Sequence, residues 1–491
     1  MKVALTLIAI AAGWTFPLSV FAAAESRPNF LLIVADDLCW RDLGVTGNPD
    51  VKTPHIDRLA TDGMSLSGMF TPAPTCSPCR HALYTGLYPV RSGAYPNHAK
   101  VDPATRSLFV YLRDSGYRVG LHNKSHVAPF ESFPFEQVGE REDDFAAIRE
   151  FIQRDATQPW LLVFASSSPH SPWSKGPQGR YDPEKLTVPS YLHDNPTTRE
   201  ALARYYAEIN ALDDQVGRLE SLLKDTKTRD ETVTLFLSEQ GSAFPFGGKW
   251  TLSDNGIRVA AFLRWPGRVQ PKSRTDALVQ YVDVAPTFLE MAGIVPATID
   301  TGCPDALGNV GFDGRSFLGL VTGATDRHRE YVFAEHTAVG VAGYKEPYPQ
   351  RCVRDGRFKL VRNLMPENEF FIRGIHQSSV YRSWLHDAES DEKLIARIDR
   401  LSVHPAVELF DLQNDPFETN NIAEDPRYEE HRRRLSGRLD AWMKQQGDEG
   451  IATELNAKSR QAGRKQWARD RRMHREANRH ASIGFKYEEI E

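Results

Sequence analysis

From Asn29 to Gly293 the chain alternates short apolar runs with amphipathic stretches, and polar clusters punctuate the apolar runs. Asn29 to Ala35 is apolar after its first residue and ends in Asp36-Asp37, the pattern of a parallel strand buried on both faces. The pattern recurs at Tyr117 to Leu121, which leads into Asn123-Lys124-Ser125-His126, and at Trp160 to Ala165, which runs out at Ser166-Ser167-Ser168-Pro169-His170. It recurs again at Thr232 to Leu237, followed by Ser238-Glu239-Gln240-Gly241, and Val259 to Arg264 reads as a further strand. Between these, Thr53-Pro54 starts a helix that stops at Gly63, with threonine as N-cap and proline in the first turn. Helices are also predicted over Ser107 to Ser115, Phe145 to Arg154, Thr198 to Leu223, and Val284 to Ala292, the last closed by Gly293. The alternation predicts an α/β fold with a large mixed, mostly parallel sheet sandwiched by helices. In open sheets of this kind sites gather beyond the carboxyl ends of the strands, so four polar clusters after four strands predict one shared site.

From Thr298 to Thr325 glycine and turn residues dominate, and a boundary is predicted near Arg327. Beyond it, Gln350 to Arg354 and Arg357 to Arg362, joined at Asp355-Gly356, form a hairpin signature. A strand at Val407 to Leu412 and a helix at Pro426 to Gln445 complete a smaller C-terminal antiparallel-sheet subdomain. The organisation expected is a leader at 1–24, a catalytic domain at 25–326, a subdomain at 327–450 and a basic tail at 451–491. Asn456 to His480 is crowded with Arg and Lys, which reads as a solvated or frayed tail, or as a binder of sulfated polymer.

Composition narrows the class. Hydrophobic content of 41%, charge of 25% and a formal net charge of -5 over 491 residues are those of a globular protein with no nucleic-acid or membrane-surface partner. Lys2, the apolar run Val3 to Phe21 and Ala22-Ala23-Ala24 make a secretory leader cut after Ala24, so the mature chain is expected to be exported, to the periplasm or beyond, with no membrane span. The five cysteines, Cys39, Cys76, Cys79, Cys303 and Cys352, are an odd number, which in an exported protein flags one thiol with another task and leaves four able to pair.

Candidate chemistry centres on Thr75 to Gly86. Pro78 suits a first helical turn, which places Cys76 at a helix N-terminus where unpaired N–H groups and the helix dipole favour an anion, and Arg80 adds a fixed positive charge one turn on. A bare thiol there would be expected to have a low pKa. Asp36, Asp37, Glu239 and Gln240 offer only oxygen donors, which suits a hard divalent cation such as Ca²⁺ or Mg²⁺, and no zinc-type Cys/His spacing is present. Arg80, Lys124 and Lys249 bring positive charge to three strand ends, as an anionic ester requires when charge shifts to its leaving group. His126 and His170 are candidate acid and base, with His98 and His122 as structural or supporting residues.

Cys76-x-Pro78-x-Arg80 followed by Thr85-Gly86 resembles the signature of the type I sulfatases, in which this cysteine is oxidised to Cα-formylglycine. The resemblance implies an alkaline phosphatase/sulfatase-like fold and Ca²⁺ rather than Mg²⁺, held by Asp36, Asp37, position 76 and the Glu239-Gln240 pair. It also implies a maturation enzyme as partner. In the family's mechanism the aldehyde is hydrated to a gem-diol and one hydroxyl attacks sulfur. His170 protonates the leaving group, and His126 strips the second hydroxyl so that sulfate departs. Lys124-x-His126-Val127, Tyr348-Pro349-x-Arg351 and Phe358-Lys359-Leu360-Val361-Arg362-Asn363-Leu364 are similar to the heparan N-sulfatase branch. There Arg351, with His336 nearby, matches a residue that contacts an acidic sugar. Cys79 for serine, Glu239-Gln240 for Asp-Asn and Lys249 for arginine depart from that branch. The substrate implied is a sulfated saccharide, N-sulfoglucosamine or an O-sulfated unit of another glycan. Two readings stand beside it: a phosphatase or phosphonate hydrolase of the same superfamily, and an exported glycan-binding protein without catalysis.

Overall fold

The computed structural model describes residues 27–481, with side chains to residue 477, so the leader assigned to 1–24 lies outside the described residues. The first ten strands are β1 (Asn29–Ala35), β2 (Met64–Leu66), β3 (Met69–Phe70), β4 (Arg118–Asn123), β5 (Glu136–Gln137), β6 (Trp160–Ala165), β7 (Thr232–Ser238), β8 (Ala261–Arg264), β9 (Ser273–Thr275) and β10 (Val279–Gln280). Eight of them form one sheet in the order β5-β4-β6-β1-β7-β8-β2-β9, and β3 pairs with β10. Strands β4, β6, β1 and β7 run parallel, whereas β8 is antiparallel to both its neighbours, so the sheet is mixed as expected.

Both faces of β1 are covered, which explains its unbroken apolar run. Phe30, Leu32 and Val34 pack with Leu83, Leu108, Phe109 and Phe288 on one side. Leu31, Ile33 and Ala35 pack with Leu202, Tyr205, Ile209 and Leu212 of the long helix Pro196–Asp225 on the other. Asn195 caps that helix by accepting from the Thr198 N–H at 2.8 Å, a bond of about 1 kcal/mol. Register then aligns the polar clusters. Ala35 faces Ser238, Val34 faces Ala165 and Asn123 faces Ala165, so Asp36, Lys124, Ser166 and Glu239 leave four neighbouring strands at one level.

The second sheet is antiparallel, in the order β11 (Val332–His336), β12 (Gln350–Arg354), β13 (Phe358–Asn363) and β14 (Val407–Asp411). Asp355 closes the β12–β13 turn by accepting from the N–H groups of Arg357 and Phe358. The sheet is fastened to the large domain by Lys359 and Arg354, which pair with Asp254, and by the Glu335 N–H, which donates to the Pro72 carbonyl at 2.9 Å just upstream of Cys76.

Three features differ from expectation. The basic tail is not frayed over its described part. Helices Ile451–Asn456 and Arg464–Ala481 form there, and the His474 ring stacks on Phe135 at 3.6 Å between centroids. The buried residues of this segment, Glu454, Ala457, Ala462, Asp470 and His474, include only two apolar ones, too few to register as an apolar periodicity. Helices Ser379–Ala388 and Glu392–Asp399 were not anticipated; the first is anchored by Trp384, fully buried, whose Nε1 donates to Thr198 Oγ1 at 2.9 Å. All five cysteines carry free thiols. No helix among the described residues is long and apolar enough to cross a membrane.

Asp42, buried a few residues past the end of β1, accepts from the Tyr205 hydroxyl at 3.1 Å, and burial raises its carboxyl to about 7. The folded protein thus keeps a proton that the unfolded chain releases near pH 4, so stability falls as pH rises from about 4 to about 7, by up to about 1.4 kcal/mol per unit. Asp42→Asn is expected to flatten that slope, which urea midpoints at pH 5 and pH 8 would measure.

Candidate active site

The helix Cys76–Thr85 enters from an extended Thr75 whose side chain makes no cap bond, and it ends at Gly86, which holds the left-handed φ of 70°. A Cβ at Gly86 would meet Phe312 at 2.7 Å, so the Thr85-Gly86 pair of the signature is set by backbone geometry and close packing. Cys76 Sγ lies 3.7 Å from Asp36 Oδ1 and 3.5 Å from Gln240 Nε2. Burial and the neighbouring Glu239 carboxylate push this thiol up to about 12, overturning the expectation of a low-pKa thiol. The helix N-terminus is outweighed by desolvation and two acids, and at neutral pH the encoded side chain is a neutral thiol and a poor nucleophile.

Around it the cations are pinned to carboxylates. Arg80, with no exposed surface, donates through Nε and Nη2 to both oxygens of Glu239 at 2.9 and 3.1 Å and through Nη1 to the Lys124 carbonyl at 2.6 Å. Lys124 Nζ donates to Asp36 Oδ2 at 2.6 Å, and Lys249 Nζ pairs with Asp37 Oδ2. Burial works against each charge. For Lys124 and Lys249 the paired aspartates outweigh it and raise both ammonium groups above the usual lysine range. Asp36 is likewise held well below the carboxylate range by Lys124 despite its burial. His170 Nε2 lies 3.1 Å from Lys249 Nζ and 3.5 Å from Asp37 Oδ2, with its side chain 37% exposed.

Two donor groups suit a metal. Asp36, Cys76 and Glu239 present ligand atoms within 4.8 Å of one another, as do Asp36, Asp37 and His170. Gln240 Nε2 donates to Asp37 Oδ1 at 2.6 Å, while its buried Oε1 has no partner. An orphaned amide oxygen beside two buried aspartates is the donor set a hard cation takes. Glu239 differs from the two aspartates in its partner: both its oxygens are held by the fully buried guanidinium of Arg80, whereas lysine ammonium groups hold one oxygen each of Asp36 and Asp37.

His126 is placed differently from His170. Its Nε2 lies 2.8 Å from His98 Nδ1, its Nδ1 is buried without a partner, and burial together with Lys124 holds it well below the usual imidazole range. The pairing with His98 and the packing of Trp467 on His126, 6.1 Å between ring centroids, were not foreseen. A tryptophan inside a basic run was the only local signal. His122 is structural, bonded to the carbonyls of Val138 and Glu142.

Arg351 and His336, the residues expected to meet an acidic sugar, lie on β12 and β11 of the second sheet. Arg351 is fully buried and bonded to Asp448 at 2.5 and 3.2 Å and to the carbonyls of His336 and Gln350, with Glu335 3.7 Å away. His336 is 1% exposed with both ring nitrogens unpaired. No hydrogen bond or ion pair among the described residues joins either to the cluster around Cys76. A motif places them at a strand end but says nothing of the acids that a distant segment brings.

Carboxylates, ammonium groups and an imidazole gathered at the ends of parallel strands, around a helix N-terminus, define a hydrolase of anionic esters. The chain belongs to the sulfatase family: the family's profile matches residues 28–146 and 139–294, and the profile "N-sulphoglucosamine sulphohydrolase, C-terminal" matches 245–401. It is 31% identical over 439 residues to an ulvan-active sulfatase of Formosa agariphila, covering 87% of this chain and 82% of that one. It is 28% identical over 489 residues to human N-sulphoglucosamine sulphohydrolase, covering 87% and 92%. In fold it is similar to a sulfatase structure from Bacteroides fragilis, with a TM-score of 0.66 at 20% identity over 87% of this chain and 98% of that one.

Proposed function

We propose that this sulfatase releases inorganic sulfate from a sulfated saccharide, N-sulfoglucosamine or an O-sulfated unit, with residue 76 matured to formylglycine and a Ca²⁺ ion beside it. The observation that carries the reading is the convergence of Lys124, Lys249 and His170 on Asp36 and Asp37, the first of which lies 3.7 Å from Cys76 Sγ. Formylglycine supplies the nucleophilic oxygen that the neutral thiol lacks, and a divalent cation polarises it. Asp36, Asp37 and the unpaired Oε1 of Gln240 would hold that cation, releasing Lys124 and Lys249 to grip the sulfate oxygens. Arg80 acts through Glu239, keeping the helix start and the strand ends in register. His170, the half-open imidazole, stands where a leaving group departs to solvent and delivers its proton. His126 is the internal base, its ring oriented by His98.

A sulfate-release screen over N-sulfated and O-sulfated glucosamine units and other sulfated glycans tests the substrate; failure on every N-sulfated unit removes that unit. Turnover of paired aryl sulfate and aryl phosphate tests the reaction, and a preference for phosphate would overturn it. Lys124→Ala is expected to lower kcat/KM by about 10²- to 10³-fold, as loss of one preorganised charge does. Dialysis against chelator is expected to abolish turnover, with Ca²⁺ restoring more than Mg²⁺; unchanged activity after complete metal removal would refute the cation's role. The leader motif supports an exported protein that meets its maturation enzyme before or during export.

A further inference from the structure

The C-terminal helix Arg464–Ala481 lies beyond the residues matched by either family profile, which end at 294 and 401, yet it docks beside the catalytic edge of the sheet. The connection before it is stitched to the loop that carries His98: the Ala462 N–H donates to the His98 carbonyl at 2.8 Å, and Gln461 Nε2 donates to the Asn97 carbonyl at 2.9 Å. Trp467 packs on His126, and the His474 ring sits on Phe135 one strand further out. The helix is therefore fixed, and its register relative to Lys124 and His126 is set.

Residues 464–481 hold seven Lys and Arg against two acids, in a chain whose formal charge is -5. Trp467, Arg471 and Arg475 recur at four-residue spacing and so share one face, with Arg471 and Arg475 about 6 and about 12 Å along the axis from Trp467. That face borders a cavity of about 180 Å³ lined by Asn123, Ser125, Glu140, Arg141, Arg471 and Arg475. Asn123 and Ser125 are the chain neighbours of Lys124, so the cavity opens beside the same strand end that supplies the sulfate-holding lysine. Arg141 is paired with Asp143 and Arg475 lies 3.5 Å from Glu140, but Arg471 is exposed and makes no hydrogen bond or ion pair among the described residues. An unpaired guanidinium one helical turn from Trp467, which packs on His126, suits a planar or tetrahedral oxyanion bound through two N–H groups.

We propose that Arg471, supported by Arg475, forms a subsite for an anionic group, a sulfate ester or a uronate carboxylate, on the saccharide unit adjacent to the one being desulfated. The inference rests on the saccharide reading above. With an anion held there, the helix selects substrates carrying a second charge.

The test compares wild-type enzyme with Arg471→Ala/Arg475→Ala, both side chains being exposed, on an aryl sulfate and on sulfated disaccharides. The neighbouring unit of the disaccharides carries a sulfate, a carboxylate or a reduced, neutral carboxyl. The expected result is about a tenfold loss of kcat/KM, through KM, on the charged disaccharides and no change on the aryl sulfate or the neutral one; which charged arm falls identifies the group. Equal loss on the aryl sulfate, or no loss anywhere, overturns the subsite. If wild type hydrolyses the aryl sulfate but no saccharide, the substrate reading fails separately. Calorimetric titration of both proteins with the charged disaccharides then decides the subsite, and equal affinities refute it.

Discussion

Cys76→Ala, expressed with the maturation machinery, is expected to release sulfate about 10⁴-fold more slowly than wild type, or to show none, as loss of a catalytic nucleophile does. The size follows from the site: Cys76 Sγ stands between Asp36 and Gln240, and alanine there offers no atom from which a nucleophile could be made. The fold should survive, because a cysteine side chain contributes little volume and the substitution costs about 1 kcal/mol. Ion chromatography of released sulfate and a thermal melt report the two quantities. Mass spectrometry of the wild-type peptide around residue 76 should show the aldehyde in place of the thiol. A fully active preparation with an intact thiol would end the formylglycine reading.

Arg351→Ala is expected to lower unfolding free energy by about 3–5 kcal/mol, since removing one partner of a buried ion pair leaves the other charge stranded. Asp448 carries that cost. Glu335 does not, because burial already raises it to about 8 and it keeps its proton at neutral pH. Arg351→Met combined with Asp448→Leu should recover most of the loss, because an apolar pair of similar size replaces the ion pair without an unpaired charge. Chemical denaturation measures this. A residue whose main task is to contact substrate would behave in the opposite way, raising KM with stability unchanged, and that outcome would place Arg351 in the substrate site.

These two residues show where local pattern succeeds and where it stops. Cys76 was legible because its helix start, the small-residue loop before it and the Thr85-Gly86 ending are all written within a dozen residues. Arg351 was legible as a strand residue but not as a buried pair, because Asp448 lies 97 positions away and no periodicity connects them. His98 was visible as a nearby histidine. Its bond to His126 depended on the loop that Ala462 and Gln461 hold in place.

By itself the sequence determined strands β1, β4, β6, β7, β8, β12, β13 and β14, their polar ends and the family signature, but not β2, β3, β5, β9, β10 or β11. Long apolar runs and helix boundaries are encoded by neighbouring residues, whereas most of these other strands are pairings of two or three residues. Only the tertiary structure decided which strands stand side by side, that Arg80 is committed to Glu239, and that the basic C-terminal segment folds against the catalytic edge. Those outcomes depend on pairings between distant segments, whose free energy comes from burial and charge neutralisation that no short window of residues contains.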